Sequence, residues 1–214
     1  MKKIVLSTLV ASSLMFGANI EPFVGIDLSK ADADIKDTYS IYSGTVDVGS
    51  TTLNAGDSFS TSYSAKDSSP ALKLGAIIND NHRVYLRYAK YEDQGGEVKM
   101  TTANYDYLFT NIDSKYKIVP FIGAHLGQGK LSSDLLGSGT GTVYGLQTGA
   151  IIPIKSGFEL EISLAYTKSN VDMKNSTPTI NGTFDGVTFN NAVLAGESEF
   201  EDATSINFGI NYRF

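Results

Sequence analysis

Few side chains in this chain can do acid–base or nucleophilic chemistry. It has two histidines and no cysteine, so thiolate nucleophiles, disulfides and thiolate metal sites are excluded. His82 falls in a predicted turn, where we expect it to be solvated. His125 falls on a predicted strand, and the residue two positions on is Gly127, so no serine–histidine pair arises at strand spacing. We therefore predict no enzyme activity, no catalytic residue and no cofactor.

Carboxylates are the other candidate ligands, and they concentrate in two segments, residues 31–69 and 169–202. Within them stand DADIKD at 32–37 and ESEFED at 197–202. Divalent cations such as calcium take carboxylate oxygens, but neither segment has the spacing of an EF-hand or of an RTX repeat. We interpret both as solvated acidic loops and predict no metal site.

Length, charge and the first residues limit the function further. The chain has 214 residues and a formal net charge of −6, which argues against nucleic acid as a partner because phosphate contacts need a basic face. The opening MKKIVLSTLVASSLMFGA joins Lys2 and Lys3 to an apolar run and small residues. That pattern is typical of a secretory signal. We predict a cleaved signal peptide at residues 1–18 and one mature domain at 19–214.

A period of two dominates the mature chain. Apolar residues alternate with small or polar ones, which is typical of β-strands, and no segment has the ~18 consecutive apolar residues of a membrane-spanning helix. The alternation predicts eight strands, at residues 20–29, 71–78, 83–91, 101–109, 118–127, 143–154, 157–167 and 203–214. A soluble β-sandwich could account for one such strand, but it accounts less well for eight.

The predicted connectors differ in length. Short ones, 79–82, 111–115 and 155–157, join predicted strands two to three, four to five and six to seven, whereas 30–69, 92–97, 127–142 and 168–203 are longer. Short turns on one side and long loops on the other are typical of outer-membrane barrels. In lipid a sheet must close, because every backbone polar group needs a partner within the protein. A ten-stranded barrel with one loop hairpin in the membrane is the alternative.

The chain resembles the OmpA/OmpX-type small outer-membrane β-barrels of Gram-negative bacteria, without a periplasmic domain. Its last residues carry the resemblance, because a terminal phenylalanine preceded by alternating apolar residues is the signal read by the outer-membrane assembly machinery in that family. The matching positions are Ile206, Phe208, Ile210, Tyr212 and Phe214. Aromatic residues expected in the interfacial girdles are Tyr88, Phe109, Phe158, Tyr166, Tyr212 and Phe214.

The resemblance implies an all-β fold, a closed eight-stranded antiparallel transmembrane β-barrel with short periplasmic turns and long extracellular loops. It also implies location in the cell outer membrane and contact with outer-membrane lipid and lipopolysaccharide. Cation bridging from the acidic loops to lipopolysaccharide phosphate is the alternative to solvated loops. Some similar barrels are enzymes that modify lipid A and use a histidine, a serine and an acidic residue for catalysis. Neither histidine of this chain is predicted to pair with a serine, which disfavours that role.

The inward face predicts a polar network. An eight-stranded barrel is about wide enough to be filled by side chains, and unpaired buried charges are costly. We expect the following residues to form an interior network: Asp27, Lys73, Arg87, Asn104, Asp106, His125, Gln147, Glu159, Glu161, Asn207 and Arg213. The alternative is a narrow polar pore for ions or small solutes.

The loops offer a surface for partners. TINGTFDGVTFN (179–190) alternates around Asp185–Gly186, which predicts a hairpin, and YSIYSGTVDVGSTTL (39–53) is rich in β-formers. Such hairpins would extend the wall and expose edges for an extracellular partner. We interpret the glycine-rich GQGK and GSGTGTVYG as flexible loop. A structural or adhesion-like surface role is the function that we favour.

Two segments nearly repeat, PFVGIDL at 22–28 and PFIGAHL at 120–126. They are predicted strands one and five, which lie opposite each other in a closed eight-stranded barrel. A shared structural demand explains the pair better than a ligand motif used twice. We predict that Asp27 and His125 belong to one interior network.

Overall fold

The computed structural model describes residues 19–93, 96–111, 117–133, 137–176, 179–184 and 186–214. The predicted signal peptide at residues 1–18 lies outside the described residues. Within them, no helix is long and apolar enough to cross a membrane. The strands are β1 (Ile20–Val48), β2 (Thr51–Asn54), β3 (Ser58–Ile78), β4 (His82–Asp93), β5 (Gly96–Leu108), β6 (Val119–Ser133), β7 (Gly137–Pro153), β8 (Phe158–Ser176), β9 (Ile180–Phe184) and β10 (Val187–Arg213).

Eight of these strands form a closed ring. The order is β1-β3-β4-β5-β6-β7-β8-β10, and β10 returns to pair with β1 from Phe23↔Arg213 to Val48↔Val187. All pairings are antiparallel. The predicted eight-stranded barrel is confirmed. Closure leaves every ring strand with two hydrogen-bonded neighbours, which is what a lipid environment requires.

The two faces of the barrel alternate as predicted. Outward side chains such as Leu74 and Leu146 are 62% and 65% exposed, whereas the inward Lys73 and Gln147 are 4% and 9% exposed. The exposed aliphatic and aromatic side chains form a band that we call the apolar belt. At the end of the barrel that carries the chain termini, His82 begins β4 and its Nδ1 lies 2.8 Å from the hydroxyl of Tyr105. His82 is thus part of an aromatic cluster and not the free turn residue that we expected.

The predicted loops are mostly strand. Most of the described residues within 30–69, 92–97, 127–142 and 168–203 continue β1, β3 to β8 and β10 beyond the apolar belt. The prediction that the acidic segments 32–37 and 197–202 are loops was therefore wrong. The two segments pair with each other as strands, with Asp34 opposite Asp202 and Thr38 opposite Glu197. Polar strands that extend past the membrane need no apolar alternation, so their sequence resembles that of a loop.

The prediction that the glycine-rich segments 127–130 and 137–145 are flexible loops was also wrong, because these residues lie in β6 and β7. Inward glycines stand directly across from large inward side chains. Gly145 is opposite His125, and Gly149 is opposite Phe121. A Cβ at Gly145 would come within 2.7 Å of the His125 ring. These glycines are small partners that make room for large neighbours in a narrow lumen.

Beyond the belt, β1, β3, β8 and β10 continue into a feature that we call the extension, residues 31–67 and 169–202. Its two short strands lie at opposite ends of the sheet order, β2 beside β1 and β9 beside β10. The predicted hairpin at 179–190 is confirmed in its pairing, with Phe184 opposite Val187, while Asp185 lies outside the described residues. A small apolar cluster of Ile41, Val46, Ala192 and Leu194 holds the extension together.

Two apolar layers close the lumen. The lower layer, near the termini, consists of Phe23, Ile77, Tyr85, Leu108, Phe121 and Ile151. The upper layer consists of Ala31, Ala71, Ala89, Tyr91, Met100, Leu131, Val143, Val171, Met173, Phe200 and Ala203. Polar residues occupy the space between the layers. The lumen is therefore a packed interior with a polar middle.

Ring closure can be tested with one engineered disulfide, since the chain has no native cysteine. Asp32 on β1 lies directly opposite Thr204 on β10. We expect D32C/T204C to form an intramolecular disulfide under mild oxidation and to run as a cross-linked species on denaturing gels. The control T140C/T204C joins strands separated by β8 and should not cross-link. Failure of the first pair in folded protein would contradict the β1–β10 closure.

Candidate functional site

Arg83 is the largest fully buried side chain of the barrel interior. It begins the inward face of β4, and its Nε donates to Asp106 Oδ2 on β5 at 2.8 Å. Its Nη1 donates to Glu161 Oε2 on β8 at 2.7 Å. One guanidinium therefore links β4 and β5 to β8, across the lumen. Hydrogen bonds in which both partners are charged are the strong ones in proteins.

Three aromatic rings surround the same guanidinium. Its carbon lies 4.6 Å from the ring centre of Phe121, 5.0 Å from that of Tyr85 and 5.8 Å from that of Phe23. Phe23 and Phe121 are the phenylalanines of the two repeated segments. The repeat thus supplies both rings from opposite walls to one buried cation.

Lys73 and Arg87 extend the network. Lys73 Nζ lies 2.7 Å from Asp27 Oδ1 and 2.9 Å from Glu161 Oε2, and Arg87 Nε lies 3.4 Å from Asp27 Oδ2. With the Arg83 pairs, three cations meet three carboxylates in one connected cluster. This balance removes the large penalty of a single buried charge.

Amide side chains complete the central cluster. Gln147 donates through Nε2 to the Tyr85 hydroxyl at 2.8 Å and also contacts Asp106. Asn211 donates to Glu161 Oε2 at 2.9 Å. The carboxylates thereby receive neutral donors as well as cations, which fixes their orientation.

A second chain of polar contacts leads from Arg87 toward the upper layer. Arg87 Nη2 donates to Asn207 Oδ1 at 3.2 Å, and the same oxygen accepts from Ser29 Oγ at 2.6 Å. Ser29 also lies 2.8 Å from the Tyr91 hydroxyl, and Asn207 donates to Ser163 at 3.2 Å. The polar middle therefore contacts β1, β4, β8 and β10.

At the end that carries the termini, Arg213 forms a separate rim pair. Its guanidinium lies 3.1 Å from Glu21 and 3.4 Å from Glu159. The Arg213 side chain is 32% exposed, so water screens these pairs. Arg213 and Glu159 thus lie at the rim of the barrel and outside the central cluster.

His125 and Asp27 do not contact each other directly. His125 Nε2 lies 3.0 Å from Thr167 Oγ1, while Asp27 pairs with Lys73 and Arg87. Both residues do line one interior cavity of about 30 Å³. A cavity of that size has room for one or two water molecules.

The structure places the sequence-predicted residues as follows. Asp27, Lys73, Arg87, Asp106, Gln147, Glu161 and Asn207 meet in the middle of the lumen; Asn104 is buried beside Thr102; His125 pairs with Thr167; Glu159 and Arg213 lie at the rim. The main residue that the sequence reasoning missed is Arg83. Its position two residues before Tyr85 and four before Arg87 on the inward face was the available signal.

Several carboxylates of the extension have partners within the chain. Asp32 lies 3.1 Å from Lys66, Glu197 lies 2.8 Å from Lys174, and Asp202 accepts from the Tyr166 hydroxyl at 3.1 Å. Among the described residues, no group of three or more histidine or acidic side chains is arranged to hold a metal ion.

Two solved structures share this fold. Neisserial surface protein A (NspA) is 19% identical with a TM-score of 0.56, and the match covers 93% of this chain and 100% of that one. The outer membrane protein OprG from Pseudomonas aeruginosa is 12% identical with a TM-score of 0.52, over 91% and 96% of the two chains. No protein-family model and no curated protein sequence matches this chain. The chain thus has the fold of small eight-stranded outer-membrane barrels.

The Arg83 cluster predicts a large effect of a single substitution. R83M leaves Asp106 and Glu161 without their shared cation, and we expect it to lower the free energy of unfolding by roughly 3–5 kcal/mol. Urea unfolding in lipid vesicles, followed by gel mobility, would measure this.

Two further variants control the experiment. R83M/D106N leaves two cations and two carboxylates in the cluster, which restores the charge balance, and it should recover much of the loss. R213Q breaks only the rim pairs and should cost about 1 kcal/mol or less. Equal stability of R83M and wild type would contradict the assigned role of Arg83.

Proposed function

We propose that this chain, with the fold of small outer-membrane barrels, is an outer-membrane protein with a closed lumen whose function resides in its extracellular extension. The observation that best supports this proposal is the pair of apolar layers that close the lumen above and below the central cluster. Because the interior is filled, the exterior and the extension are the surfaces left to interact.

Placement in the outer membrane is supported by the apolar belt. Large apolar side chains on the ring strands are exposed, such as Leu28 at 59% and Phe208 at 56%, and lipid is the solvent in which such a surface is stable. The proposed assembly signal fits this placement, since Ile206, Phe208, Ile210, Tyr212 and Phe214 are all exposed. The outer-membrane assembly machinery could therefore read these side chains on the outer face of β10.

A role without catalysis is supported by the two histidines. His125 is buried beside the small interior cavity, and His82 contacts Tyr105 in the aromatic cluster. Neither histidine has a hydrogen bond to a serine among the described residues. A lipid-modifying reaction would need a nucleophile and a base that meet at an accessible surface.

The extension is the proposed binding surface. Its described residues include eleven acidic and three basic ones, and in the described part of the chain β2 pairs with β1 alone and β9 with β10 alone. The free edges of β2 and β9 can accept another strand. Exposed aromatics lie beside them, with Tyr42 at 70% and Phe184 at 60% exposed. A cationic extended polypeptide is the partner that these features fit.

Conductance separates this proposal from the pore alternative. We expect wild-type protein in planar bilayers to show no stable channel steps, because the apolar layers and filled middle leave no continuous water path. The folded state is checked by the gel-mobility difference between unheated and boiled samples. Reproducible unitary conductance from folded protein would contradict the closed lumen.

Edge binding can be tested with two matched peptides. One alternates lysine and valine and can add to an edge; the other has the same charge but carries prolines that block strand pairing. We expect folded protein in vesicles to bind the alternating peptide more tightly. The variant T52P places a proline in β2, which disfavours strand addition at that edge, and it should lose part of that preference. Equal binding of both peptides by wild type would contradict edge recognition.

A further inference from the structure

Two methionines of this chain lie together in one layer of the barrel interior. The sequence has no cysteine and four methionines, and Met1 and Met15 belong to the predicted signal peptide. The other two, Met100 and Met173, are both part of the upper layer that closes the lumen. With cysteine absent, methionine is the side chain that mild oxidants convert most readily. Oxidation of the mature chain therefore concerns this layer first.

Met100 is the long side chain in its row of inward residues. Directly across from it lie Ala89 on β4 and Gly129 on β6. The row continues with Ala71 on β3 and Gly141 on β7. Because these four neighbours are small, the flexible thioether of Met100 fills the space beside them.

The same side chain borders a polar space. Met100 lines the interior cavity of about 30 Å³ together with Arg87, Thr102 and His125. His125 Nδ1 is buried and has no hydrogen bond among the described residues. Since the cavity has room for one or two water molecules, it also has room for one oxygen atom bonded to the Met100 sulfur.

Two carboxylates line this cavity as well, and both are already paired with cations. Asp27 pairs with Lys73 and Arg87, and Glu161 pairs with Lys73. An oxygen atom on Met100 would therefore meet neutralised carboxylates and the N–H donors of Arg87, so a polar group is tolerated at this place.

Met173 has different surroundings. It lies opposite Ser198 on β10 and is 3% exposed, against 8% for Met100. It shares the upper layer with Val171 and Phe200 and does not line the cavity. An oxygen atom on Met173 would enter an apolar environment, where a polar group without a partner is costly.

We propose that Met100 is the oxidation site of the folded barrel and that its sulfoxide oxygen occupies the interior cavity. The sulfur lone pair attacks one oxygen of hydrogen peroxide, and an S–O bond forms as the O–O bond breaks. The proton of the attacked oxygen moves to the departing oxygen, which leaves as water. The sulfur loses two electrons and the peroxide gains them. Because the new oxygen points into polar space, the upper layer stays packed and the barrel stays folded.

Peptide-resolved mass spectrometry compares the two methionines in one sample, the mature protein folded in lipid vesicles and treated with hydrogen peroxide. We expect Met100 to gain an oxygen several-fold faster than Met173. After unfolding in urea, the two should react at similar rates, because the difference comes from the fold. A Met173 rate equal to or above that of Met100 in the folded barrel would overturn the proposal.

Two matched variants test where the oxygen goes. M173L leaves Met100 as the methionine of the mature chain, and M100L leaves Met173. Oxidised M173L should keep the gel mobility of folded protein, and its nitrogen-15 resonances of Arg87 and His125 should shift while that of Arg213 does not. M100L should resist the same treatment.

Unfolding of oxidised M173L, unchanged Arg87 and His125 resonances in it, or equally fast oxidation of M100L would each contradict the proposal. Leucine and methionine are similar in volume, so both variants should fold, and the gel mobility of unoxidised samples checks this. If a variant does not fold, the wild-type comparison of Met100 with Met173 still decides. The partner of the extension plays no part in these measurements, so their failure leaves the proposed function standing.

Discussion

The structure depends on the pairing of a fully buried guanidinium. Arg83 is buried among Asp106, Glu161 and three aromatic rings, and an unpaired ion at such a place would cost several kcal/mol. Lys73 and Arg87 bring the cluster to three cations and three carboxylates. Because these charges come from strands on different sides of the ring, their pairing holds the walls of the barrel in one arrangement.

A filled interior leaves the outer surfaces for the proposed function. Along the outside of the barrel, the apolar belt is followed by exposed lysines and then by the acidic extension. In the proposed function the apolar belt contacts acyl chains and the acidic extension contacts a cationic polypeptide. This order lies on the outward face alone, because the inward side chains of the same strands fill the lumen.

The faces of the strands were predictable because the two-residue period of a pleated strand is local. Lys73, Asp106 and Glu161 could be placed inside from their neighbours alone. Contacts across the lumen were not predictable, because they depend on the stagger of the strands; this is why His125 meets Thr167 and not Asp27. The sequence reasoning missed Arg83, which is the first residue of the predicted strand 83–91. The prediction that the glycine-rich and acidic segments are loops was wrong. Strands beyond the membrane need no apolar face, so their sequences lack the alternation that marks a strand.

The central claim is that Arg83 is locked in a closed, water-poor cluster. Nitrogen-15 arginine NMR of the folded protein tests it directly, with Arg213 as an internal reference at the exposed rim. The account predicts that the Arg83 Nε–H, which donates to Asp106, exchanges with water far more slowly than the Arg213 Nε–H. Equally fast exchange at both guanidinium groups would contradict it.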